Sequence, residues 1–122
     1  MNLEIELEES SGPRAPRFSY HVTVRVRDGR VAVSEHGARA RAFERPLTPD
    51  EDARLSALLA DYSAWRAGGD LTGGDPRRAG VSYNRLVIRD AEGDHVTTYF
   101  VTQKADRPWL DALVAALRSL PG

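Results

Sequence analysis

With no cysteine in the chain, side-chain chemistry falls to three histidines, His21, His36 and His95, to carboxylates and to hydroxyls. No two histidines stand at HxH, HxxxH or HExxH spacing, so a metal site would need them brought together by folding, and catalytic zinc commonly takes three protein ligands. No metal or other cofactor is expected. Acid–base catalysis needs two positioned carboxylates or a histidine with a partner in a cleft. Asp50, Glu51 and Asp52 have a plainer role as negative charge at a helix N-terminus, where it complements the helix dipole. Ser34-Glu35-His36 is adjacency along a strand, which sends Ser34 and His36 to one face and Glu35 to the other, so no nucleophile with its base is apparent. The glycines between Ala67 and Gly80 invite a phosphate-loop reading. GxxxxGK[ST] lacks its lysine here, and a helix precedes this stretch while a strand follows it, the reverse of what phosphate binding at a helix N-terminus requires. No catalytic residue is assigned, and a non-enzymatic protein is expected.

Charge narrows the partners. Charged residues make up 29% of the 122, yet the net charge is −1, so the overall field favours neither nucleic acid nor an anionic membrane. Sixteen of the 17 basic residues are arginine, which together with abundant Ala, Gly and Asp fits the codon usage of a GC-rich bacterial genome. Arg25, Arg27, Arg30, Arg39, Arg41 and Arg45 could line a basic sheet face, but Phe18 and Tyr20 have the opposite strand parity from Arg25 and Arg27. Stacking and phosphate contact would therefore not share a face. The absence of cysteine fits a reducing compartment. Met1-Asn2-Leu3-Glu4 begins no basic or apolar leader, and no run approaches the roughly 18 apolar residues of a spanning helix. A soluble, cytoplasmic protein is expected, its 122 residues forming a single domain.

The elements that would position any site follow from periodicity. Leu3, Ile5 and Leu7 alternate with Glu4, Glu6 and Glu8, a half-buried strand with an acidic row on its wet face. Glu9 to Arg17, with Pro13 and Pro16, reads as a loop. Phe18 to Val26 alternates again, and Asp28-Gly29 is a two-residue hairpin signal that opposes Arg27 with Arg30, Val26 with Val31 and Val24 with Val33. Arg27 facing Arg30 is a like-charge conflict. The acidic first strand lying beside Arg25 and Arg27 would answer it. Residues 38–43 alternate weakly and are read as a short strand. Thr48-Pro49-Asp50-Glu51 is a capping box that opens a helix with the stripe Leu55, Leu58, Leu59, Tyr62 and Trp65, ended by Gly68-Gly69. Val81 to Arg89 and His95 to Thr102 form a second hairpin whose returning arm is apolar on both sides, so its facing stays open. Asp106 and Pro108 start a last helix with Leu110, Leu113, Val114, Leu117 and Leu120 as its stripe. Trp65 and Trp109 are read as core or helix-end packing. The expected fold is α+β, a two-layer sandwich of an antiparallel sheet of four to six strands with two helices, in the order β-β-β-(β)-α-β-β-α.

This order and a few residues resemble a known family. The helix opened by Leu47-Thr48-Pro49-Asp50-Glu51, the Gly-rich gap, the Tyr83-x-x-Leu86-Val87-Ile88 strand, its hairpin and the helix after Asp106-Arg107-Pro108 look like emfourin, small bacterial inhibitors of thermolysin-like metalloproteases. The likeness spans about residues 47–120. The family's first strand leads into a Gly-Gly-aromatic turn where this chain has Ser10-Ser11-Gly12-Pro13, so no family functional residue is carried over. The resemblance implies a protein-binding function, with a thermolysin-like protease as partner. Partner-binding residues are then sought in the two irregular stretches: Ser11, Gly12 and Arg14 in the first, Asp75, Arg77 and Arg78 in the central one. The alternative is a ligand-binding or enzymatic pocket between sheet and helices.

Overall fold

The computed structural model describes residues 3–10, 21–36, 40–61, 65, 69–70, 83–100 and 107–120. The strands are β1 (Glu4–Ser10), β2 (His21–Arg27), β3 (Arg30–His36), β4 (Arg41–Pro46), β5 (Gly69–Asp70), β6 (Tyr83–Asp90) and β7 (Gly93–Phe100); the helices are α1 (Pro49–Leu59) and α2 (Pro108–Ser119). The fold is the expected α+β arrangement. Six strands pair antiparallel in one sheet of order β4-β3-β2-β1-β6-β7, and the two-residue β5 adds to β7 in parallel at the far edge. Among the described residues no helix is long and apolar enough to cross a membrane.

Period-two patterning decides which sheet face is dry. Ile5 and Leu7 of β1, Val22, Val24 and Val26 of β2, Val31 and Val33 of β3, and Leu86 and Ile88 of β6 are buried in one core cluster. α1 and α2 cover this face, contributing Leu55 and Leu59 from the first helix and Leu110, Leu113, Val114 and Leu117 from the second, with Leu120 at its C-cap. At roughly 1.5–3 kcal/mol for each large aliphatic side chain removed from water, this cluster is the main force holding the layers together. The hairpin register is as expected: Arg27 opposes Arg30, Val26 opposes Val31 and Val24 opposes Val33. Asp28 at φ 53° and Gly29 at φ 74° are both left-handed, as a turn matching strand twist requires. The second hairpin, open from pattern alone, places His95, Thr97 and Tyr99 in register with Ile88, Leu86 and Asn84 and so on the helix side, leaving Val96 opposite Val87 on the other face.

Three boundaries differ from the sequence reading. β1 extends through Glu9 to Ser10, because Glu9 pairs in register with Val22 and its buried carboxylate finds partners beneath the sheet. The short strand falls at Arg41–Pro46 instead of 38–43; Pro46 is tolerated because β4 lies at the sheet edge. α1 stops at Leu59, short of Trp65 and Gly68-Gly69. Trp65 is buried outside the helix, and its indole Nε1 donates to the Leu59 carbonyl at 3.0 Å, an oxygen that a continuing helix would have used. Trp109 Nε1 donates to the Leu58 carbonyl at 2.7 Å. Two tryptophans thus close the C-terminus of α1, which has no basic residue in its last turn. Tyr62 and Asp106 lie outside the described residues.

Candidate functional site

Antiparallel pairing gathers several strand ends at one end of the sheet. Ser10 pairs with His21, His21 with His36, Glu35 with Arg41 and Tyr83 with Phe100. The Ser10 amide also donates to Asn84 Oδ1 at 3.1 Å, joining the end of β1 to the start of β6. β5 runs parallel to β7 and so points to the same end. The chain therefore leaves β1 for residues 11–20, and comes into β6 from residues 71–82, at adjacent points. All six residues expected to bind a partner fall in these two stretches: Ser11, Gly12 and Arg14 in the first, Asp75, Arg77 and Arg78 in the second. They lie outside the described residues, and the structure brings together the strands that flank them.

A buried polar network anchors this end to the helical layer. Glu9 has the parity of Ile5 and Leu7 and is only 2% exposed. Its Oε2 accepts from the Tyr99 hydroxyl at 2.8 Å, and its Oε1 from Arg118 Nη1 of α2 at 2.6 Å. Burial of a carboxylate is tolerated when charge-assisted hydrogen bonds of this kind replace water. The sequence does not show this role directly, because Glu9 adjoins a stretch broken by Pro13 and Pro16. Parity was the available signal: counted on from Ile5 and Leu7, position 9 faces the core.

The three histidines do not gather at one point. His21 and His36 oppose each other on β2 and β3, His21 lying 3.8 Å from Glu8 and His36 3.3 Å from the Ser34 hydroxyl, both on the outer face. His95 is only 13% exposed although it stands near the start of β7, with Nε2 3.0 Å from Asp90 Oδ1 and its ring edge-on to Trp65 at a centroid distance of 5.2 Å. The reason is the register of β7, which turns His95 toward the helix side, against Trp65. The β6–β7 turn also brings Glu92 near, so that ligand atoms of Asp90, Glu92 and His95 lie within 4.8 Å of one another. Two carboxylates and an imidazole are a donor set able to hold a divalent cation. A search for paired histidines passes over an Asp-x-Glu-x-x-His stretch that only a tight hairpin closes.

The outer sheet face is a lattice of ion pairs. Glu6 lies 3.5 Å from Arg25 and 3.3 Å from Arg89, and Glu4 3.3 Å from Arg27, so the acidic strand does answer the arginine row of β2. Arg30, opposite Arg27, pairs with Glu44 at 2.8 Å. A cleft of about 320 Å³ lies here among Arg25, Arg27, Asp28, Arg30, Ala32 and Glu44. Ala32 is its floor, since its short side chain sits between Arg25 and Glu44 in register. Arg41 and Arg45 have the parity of the helix side and pair with Glu35 and Glu51, so the basic residues are divided between two faces and matched on each. Arg39 lies outside the described residues. Compared with known proteins, the chain matches no protein-family model, and no curated protein is similar enough to count as a relative.

Proposed function

We propose that the chain is a non-enzymatic protein-binding domain that engages a protein partner at the end of the sheet where β1 passes into residues 11–20 and residues 71–82 lead into β6. The observation that supports this reading is the placement of β1 between β2 and β6, which puts the end of β1 and the start of β6, the described ends that flank the two stretches, next to each other in the sheet. Binding residues gain precision when rigid elements hold their flanks. The packing of the described residues between sheet and helices supports a binder over an internal pocket: Leu55, Leu59, Leu113 and Leu117 lie in one cluster with Ile5, Leu7 and Val24. The partner class, a thermolysin-like metalloprotease, rests on the emfourin resemblance.

The test is inhibition of a thermolysin-like protease by the folded protein, titrated to stoichiometric excess beside two variants. Saturable inhibition is expected, weakened at least tenfold by the double substitution Arg77→Ala and Arg78→Ala. Asp28→Ser, at the opposite end of the sheet, should inhibit as well as the wild type. Absence of inhibition by a protein shown to be folded would overturn the protease reading. Equal weakening by the Asp28 variant would overturn the placement of the binding surface.

A further inference from the structure

We draw no further inference here: the strongest candidate, the convergence of Asp90, Glu92 and His95 at the β6–β7 turn, has no second observation beside it that points to a bound ion.

Discussion

Glu51 ties three elements together, and neutralising it should cost stability in a way that depends on pH. Its carboxylate accepts from Arg45 Nη1 and Nη2 at 2.8 and 2.9 Å and from the Thr48 amide at 2.9 Å, while its own amide donates to Thr48 Oγ1 at 3.2 Å. Arg45 Nη2 also donates to the Leu120 carbonyl at 2.6 Å, so the pair joins β4, the start of α1 and the end of α2. The Arg45 guanidinium, helped by the Thr48 amide, holds the Glu51 carboxyl down to about 2 from an ordinary 4.5. A depressed carboxyl gives stability that is full above the unfolded-chain value and disappears as pH falls through the folded one, here between about pH 4.5 and 2. The whole displacement corresponds to a ceiling of about 3 kcal/mol at 1.36 kcal/mol per pH unit. Because 24% of the Glu51 side chain and 32% of Arg45 meet solvent, screening lowers the expected effect to about 1–2 kcal/mol. Glu51→Gln is the informative change, since glutamine still serves a capping box and only the charge is removed. Urea unfolding should show the variant less stable by that amount at pH 7, with the gap closing toward pH 2. A gap of the same size at every pH, or none at pH 7, would refute the assignment of stability to the ionised pair.

Other substitutions separate the contributions of the remaining layers. Arg118→Met leaves the Glu9 carboxylate buried without its guanidinium; breaking a buried pair costs about 3–5 kcal/mol, reduced here to about 2 because Arg118 is 37% exposed, as equilibrium unfolding should show. Trp65→Phe keeps most of the apolar volume but loses the hydrogen bond to Leu59, costing about 1–2 kcal/mol, whereas Trp65→Ala should cost about 3–5 kcal/mol by opening a cavity. Glu6→Gln, on the solvated outer face, should change stability by less than about 1 kcal/mol, an effect that fades in high salt.

The β1, β2 and β3 patterning, the Asp28-Gly29 turn and the register through Val24 and Val33 were legible because alternation and turn chemistry are local. So was the α1 N-terminus, where Thr48, Pro49 and Glu51 each fit the same start, and the stripe of α2. The C-terminus of α1 was not. Leu58, Leu59, Tyr62 and Trp65 continue a helical period, and a period carries no information about where an indole will find a carbonyl. Glu9 and His95 failed similarly: a charged residue beside prolines, and an imidazole at a strand start, look solvent-facing until strand register puts them on the helix side. Their partners, Tyr99 and Arg118 for one, Asp90 and Trp65 for the other, come from distant elements or across a turn.

The neighbours of β1 mark the same boundary for the proposed binding surface. Charge made half of its position readable: Glu4, Glu6 and Glu8 on one face and Arg25 and Arg27 on another strand are cheapest when adjacent, because like charges left opposite one another repel. The other neighbour, β6, offers Arg89 to the same acids, 3.6 Å from Glu4 and 3.3 Å from Glu6. Arginines on both flanks of one acidic strand argue for a central position, since an edge strand would leave one side of that row to water. Pairing over more than seventy residues of sequence closes a long loop, and its entropic cost grows only logarithmically with length, so a continuous core and a matched charge row suffice to favour it. Because β1 and β6 pair antiparallel, the C-terminal end of β1 and the start of β6 lie at the same end of the sheet. The antiparallel pairing that aligns this ion-pair lattice also sets which strand ends flank the proposed surface. Reversing the sign of the central strand, with Glu4→Lys and Glu6→Lys together, places like charge against Arg25, Arg27 and Arg89. It should lower stability by about 1–3 kcal/mol in urea unfolding, an effect that high salt reduces, whereas the same reversal made at Glu44, on the edge, should cost less. A loss no larger than that of the Glu44 variant would remove the charge lattice from the forces that hold β1 in the centre of the sheet.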